Sequence, residues 1–185
     1  FFMREKCVSV PFNFDPAVLR YLETFFNCKS DSVDLRKSVL YSFIILCLSR
    51  ITYKSKKTNP SCFSSFIEGN IVVKEWDYTH YGENITPEAM IQVNNLIYKL
   101  IIREACYRIM IAHVYSGIPR DTCIKDYLFE IGYKDDELSY GALRKYYQRN
   151  WTSKEKELRD NVQFSMQENE YKKGTNSVQM RYTTG

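Results

Sequence analysis

From Cys7 to Phe14 the chain alternates: Val8, Val10, Phe12 and Phe14 interleave with Cys7, Ser9, Pro11 and Asn13. Period-two alternation predicts a half-buried strand, and Pro11 confines it to a sheet edge or end. The next stretch, "FDPAVLRYLETFF", offers Asp15 as helix cap and Pro16 at the first helical position, with Val18, Leu22 and Phe25 or Phe26 on one face. Asn27 to Ser30 break it. Leu35, Val39, Phe43, Leu46 and Arg50 then recur at helical spacing, predicting a second helix from Asp31 or Ser32 to about Tyr53. A basic, polar connection, "YKSKKTNPSC", follows over residues 53–62.

Residues 70–81, "NIVVKEWDYTHY", are rich in β-branched and aromatic types and predict one extended segment or a small hairpin. The clearest element comes next. Thr86 caps it and Pro87 opens it; Met90, Val93, Ile97, Leu100 or Ile101, Tyr107, Ile111 and Val114 form its stripe, and Gly117 and Pro119 close it. A helix of about 28 residues reaches roughly 42 Å, long enough to serve as a spine or a dimer seam. Two shorter helices are predicted at about 122–131 and 137–150, with Gly132 as the stop between them. Thr152 and Glu155 have capping-box spacing for a last helix running toward Tyr171, with a thin stripe of Leu158, Val162 and Met166. The remaining tail is expected to be frayed.

These elements predict a mainly α fold: a helical bundle around one long helix, with a short N-terminal strand and a small β segment near 70–81. The expected organisation is a strand–helix–helix unit over 1–57, a helical domain over 63–151, and a C-terminal helix with a flexible tail over 152–185.

Composition narrows the function classes. At 44% hydrophobic and 26% charged residues, the chain of 185 can build a sizeable core. Its 15 Tyr and 11 Phe against 7 Gly favour a binding surface without choosing its partner. The most apolar run, Val39 to Leu48, is far shorter than the roughly 20 residues a membrane span requires, so no membrane is expected. The six cysteines form no C-x-x-C pair and no zinc-finger spacing; without a signal peptide they are expected as free thiols in a cytoplasmic protein.

Catalytic chemistry finds little to stand on. There are two histidines. His113 reads as a cation at a helix end, and His80 with Glu75 and Asp77 is a commonplace loop composition. No Gly-rich phosphate loop is present. No enzyme, cofactor or metal is expected.

Residues 120–151, "RDTCIKDYLFEIGYKDDELSYGALRKYYQRNW", resemble in layout the helix-turn-helix DNA-binding proteins of bacterial and phage mobile elements: a short helix, a turn, then a helix ending in "RKYYQRNW". The turn is longer than usual, and Asp135, Asp136 and Glu137 are expected at the opening of the second helix, where they suit the dipole and repel DNA. The N-terminal strand–helix–helix order is similar to the ribbon-helix-helix class, in which Lys6, Ser9 and Asn13 would face base edges and Pro11 would interrupt the ribbon. Tyr147 and Trp151 are expected to close the core under Leu143 rather than stack on bases.

Charge adds a second candidate. Residues 1–60 carry 10 basic and 5 acidic side chains, a net of +5; residues 61–118, 119–151 and 152–185 carry −2, zero and +1, which together give the chain's +4. The expected function is therefore a non-enzymatic nucleic-acid-binding regulator or accessory protein, contacting DNA or RNA through Arg50, Lys54, Lys56, Lys57, Arg144, Lys145, Tyr146 and Arg149. The alternative is a structural or interaction protein, such as a phage assembly component or regulatory subunit, binding a protein partner or a second copy through the long helix and an aromatic surface.

Overall fold

Strand β1 (Cys7–Phe14) forms where alternation predicted it and buries Val10, Phe12 and Phe14. Its partner in this computed structural model is β3 (Ile67–Lys74), antiparallel, with Val10 opposite Ile71 and Pro11 opposite Asn70. The structure describes residues 6–26, 28–29, 31–49, 66–134 and 136–163. The chain divides into two compact units: unit 1 holds the residues up to Ala105 with Leu128–Ser139, and unit 2 holds Cys106–Tyr127 with the residues from Tyr140 on.

In unit 1, helix α1 (Pro16–Phe26) starts as expected: the Asp15 carboxylate accepts from the amides of Ala17 at 2.9 Å and Val18 at 3.4 Å. Val18 and Leu22 are buried with Ala17 and Leu19, whereas Phe25 and Phe26 are exposed, so the apolar face is narrower than predicted.

The predicted helix from Asp31 to Tyr53 is not formed as one element. Among its described residues only α2 (Leu40–Cys47) is helical, followed by the short strand β2 (Leu48–Ser49). One long-range and one local interaction compete with helix upstream. Val33 is drawn into a parallel bridge with Ile71, and the Asp34 side chain accepts from the Arg36 amide at 3.1 Å while pairing with its guanidinium. The buried face is Leu40, Tyr41, Ile44 and Leu48; Val39, Phe43 and Leu46 of the predicted stripe face solvent.

Residues 70–81 are not one extended segment either. Strand β3 ends at Lys74 and helix α3 (Glu75–Tyr81) begins at once, with Glu75 and Asp77 in its first turn. Strand β4 (Asn84–Ile85) then pairs with β2. The long helix α4 (Pro87–Ser116) is as predicted, capped by Thr86, whose hydroxyl accepts from the Ala89 amide at 3.2 Å, and closed by Gly117 at φ 67°. Its residues through Ala105 belong to unit 1 and those from Cys106 to unit 2. Val93, Ile97 and Ile101 are buried, but Leu100 and Tyr107 of the predicted stripe are exposed.

Asn94 ties unit 1 together at a point no pattern flagged. Buried, it accepts from the Asp15 amide at 2.8 Å and donates to the carbonyls of Asn13 at 2.8 Å and Met90 at 2.9 Å. One side-chain amide thus fixes the junction of β1 and α1 on α4.

Helix α5 (Arg120–Ile131) ends in a Schellman motif: Tyr133 donates to the Leu128 carbonyl at 3.1 Å and Gly132, at φ 74°, to that of Phe129 at 3.0 Å. Helix α6 (Tyr140–Asn150) starts three residues later than predicted. Trp151 alone separates it from α7, residues 152–163. The core of unit 2 includes Cys106, Ile109, Ile124, Leu143, Tyr147 and Trp151. Tyr147 and Trp151 close it beside Leu143, as their spacing predicted.

Candidate functional site

Of the predicted contact residues, Arg50, Lys54, Lys56 and Lys57 lie outside the described residues, as does the 53–62 connection. The other four sit on α6, which has no acidic residue. Leu143 and Tyr147 turn inward, leaving Lys145, Gln148 and Arg149 on the outward face. Lys145 and Arg149 are four residues apart and so stand one above the other. Arg144, at the margin, pairs with Asp121 at 3.3 Å, with both side chains about half exposed. Tyr146 is 43% exposed.

The acids expected at the opening of this helix are elsewhere. Asp136 and Glu137 belong to the connection before it, and Asp135 lies outside the described residues. Glu137 pairs with Arg20 at 3.3 Å, and that hydrogen bond and charge hold the guanidinium's pKa above its ordinary value. Glu137 also accepts from the Lys134 amide at 3.2 Å.

A second constellation, also in unit 2, escaped the sequence. Glu155 was read as a capping residue for α7, but its side chain points inward and is 5% exposed. The Thr152 hydroxyl meanwhile donates to the Gln148 carbonyl at 3.0 Å, so no capping box forms. Arg120 grips the Glu155 carboxylate through two nitrogens, Nε to Oε2 at 3.1 Å and Nη2 to Oε1 at 3.0 Å, with Nη2 also 2.9 Å from Oε2. The Tyr147 hydroxyl donates to Oε2 at 2.8 Å, and Arg159 Nη2 approaches Oε1 at 3.4 Å. Burial pushes the carboxyl's pKa up, but the bonds from Arg120 and Tyr147 with the charges of Arg120 and His113 outweigh it and hold it below the ordinary value. Burial first, then the hydrogen bond to Glu155 and its charge, raise the Tyr147 hydroxyl above the usual tyrosine range.

His113 completes the ring. Its Nδ1 lies 2.6 Å from the Ile118 carbonyl, which can only accept, so Nδ1 carries a proton. Nε2 then faces both Arg159, at 3.1 Å, and Glu155 Oε1, at 3.3 Å. The residues gathered here are 113, 120, 147, 155 and 159. They come from four helices, a dispersion no spacing rule detects.

The other chemical candidates dissolve. His80 stacks on Trp76 with ring centroids 4.7 Å apart, and Asp77 is buried against the Tyr41 hydroxyl at 2.7 Å. Among the described residues no three His, Cys, Asp or Glu are placed to hold a metal ion, and no helix is long and apolar enough to cross a membrane. Among the described residues Cys28, Cys47, Cys106 and Cys123 are free thiols, and burial pushes the pKa of Cys106 up to about 12. β1 pairs with β3 of its own chain, an arrangement unlike the intermolecular ribbon of the ribbon-helix-helix class. No family model matches the chain, and no curated protein or solved structure is found similar to it.

Proposed function

We propose that this is a non-enzymatic nucleic-acid-binding protein, and that the outward face of α6 contacts the phosphate backbone. One observation carries the reading: Lys145 and Arg149 stand on one exposed face of a helix without acids, with Gln148 between them and Tyr146 beside them. The surroundings favour it. Over its described residues unit 2 has nine Lys and Arg against five Asp and Glu, a net of +4. Two of those five acids are neutralised locally, Glu155 by Arg120 and Asp121 by Arg144. The resemblance of residues 120–151 to a helix-turn-helix is consistent with this use of the second helix, in a regulator or accessory factor of a phage or mobile element.

The test is fluorescence anisotropy of labelled duplex and single-stranded DNA at about 50 and 200 mM salt. Binding should weaken steeply with salt. Lys145→Ala with Arg149→Ala should lower the slope of log affinity against log salt by about two, one for each phosphate contact. Salt-steep binding that survives the pair would move the contact to Arg50–Lys57. No binding at low salt would overturn the reading.

A protein partner is favoured instead by one feature of α4. Tyr107 and Tyr115 are 55% and 61% exposed and eight residues apart on one helical face. In that case Tyr107→Ala, and not the α6 pair, would abolish the association.

A further inference from the structure

Helix α7 is held in an unusual way. Among its described residues Glu155 alone is buried; Leu158 and Val162 are half-buried and the rest are exposed. A surface helix ordinarily docks through an apolar stripe. Here one carboxylate enters a recess walled by Arg120, His113 and Tyr147, which belong to α5, α4 and α6.

The recess has the chemistry of an anion cradle. Arg120 presents Nε and Nη2 as a two-nitrogen fork, with Nη2 reaching both oxygens, and such a fork suits carboxylate and phosphate alike. Tyr147 adds a hydroxyl donor held rigidly by burial, since the residue is 0% exposed. His113 Nε2 lies 3.3 Å from the same oxygen that Arg120 Nη2 contacts, with its ring fixed by the Ile118 carbonyl, and it adds a donor there when both ring nitrogens are protonated. A carboxylate uses two oxygens of such a set, while a phosphate offers three or more acceptors and more negative charge.

We propose that Arg120, Tyr147 and His113 form a phosphate-binding cradle, and that Glu155 occupies it as an intramolecular stand-in. α7 is then an autoinhibitory strap. A phosphate group displaces the carboxylate, and α7 leaves with it. The cradle belongs to the same unit as the α6 face, so a nucleic-acid phosphate is the source expected if the proposed function holds. The cradle's affinity for phosphate itself does not depend on that function.

An internal competitor lowers apparent affinity by the fraction of molecules in which the site is open. Glu155→Gln removes the competing charge while keeping shape and an acceptor for Tyr147. Two probes should be titrated into the full chain and this variant: inorganic phosphate, read by calorimetry, and the labelled oligonucleotides. Glu155→Gln is expected to bind inorganic phosphate about tenfold or more tightly than the parent. Adding Arg120→Ala to it should abolish that gain. Circular dichroism verifies that each variant is folded; should Glu155→Gln fail to fold, Glu155→Ser replaces it as a smaller uncharged residue. Equal phosphate affinity in parent and variant, with helicity retained, overturns the inference and identifies Glu155 as a purely structural tie. A gain for inorganic phosphate without oligonucleotide binding keeps the cradle and removes the nucleic-acid reading. Oligonucleotide binding without any phosphate gain does the reverse.

Discussion

In unit 1 the buried carboxylate, Asp77, accepts from the Tyr41 hydroxyl, which itself accepts from the Lys74 amide at 2.8 Å. In unit 2 the buried carboxylate, Glu155, is gripped by a guanidinium fork, a second arginine and an imidazole. The surroundings differ in the same sense. Described residues of unit 1 carry nine basic and thirteen acidic side chains, a net of −4, against +4 in unit 2. A neutral hydroxyl can shelter an acid by hydrogen bonding alone, in a relay that organises backbone. A cluster of cations around one acid retains charge when the acid is removed, and so retains the capacity to bind another anion. The lesson is that burial of a carboxylate says little until its partners are known.

Three perturbations would sharpen or break this contrast. The largest effect is expected in the apolar core of unit 1. Phe12 is 1% exposed and packs against Phe14 with ring centroids 4.7 Å apart. Phe12→Ala should cost about 3–5 kcal/mol by urea denaturation; a loss below 1 kcal/mol would mean that β1 contributes little to that unit.

Acid comes next, and acts on unit 2. The folded pKa of Glu155 is depressed, so its stabilising contribution is full above the ordinary carboxylate value of about 4.3 and is lost as pH falls through the lower folded value. Trp151, 7% exposed, reports on this unit once Trp76→Phe has removed the other tryptophan. Denaturation followed by its emission should show stability declining below about pH 4. Glu155→Gln should flatten part of that decline, and an identical profile in both proteins would assign the acid sensitivity to other carboxylates.

The smallest change is at a cap. Asp15→Ala leaves the first-turn amides of α1 without their acceptor and should cost about 1 kcal/mol. Asp15→Asn should restore most of it, because an amide oxygen also accepts.

Elements whose boundaries are set by local chemistry were legible in the sequence: Asp15 and Pro16 opening α1, Thr86 and Gly117 bounding α4, Gly132 stopping α5. Those decided by distant partners were not. Nothing around Val33 announces a bridge to Ile71, yet that bridge and the Asp34–Arg36 turn leave only the last part of the expected second helix to form. The α6 cations could be read because they follow one another along a single helix. Glu155 was visible as a residue but assigned to the wrong partner, since T-x-x-E spacing describes both a capping box and, as here, an acid turned toward another helix. His113 and Arg120 face it from α4 and α5, and sequence spacing holds no signal for that meeting.

The edge of β1 has a bearing on how this chain avoids its own copies. Asn70 directs its carbonyl to Val33, so the facing residue Pro11 has its nitrogen on the outer rim of the strand. That nitrogen bears no hydrogen. Two residues on, the outward carbonyl of Asn13 is already bound by Asn94. On the far rim of β3, Val33 occupies the carbonyl of Asn70 and the amide of Val72. An incoming strand would meet a missing donor on one side and filled positions on the other. The small sheet is thereby a poor template for edge-to-edge growth into aggregates.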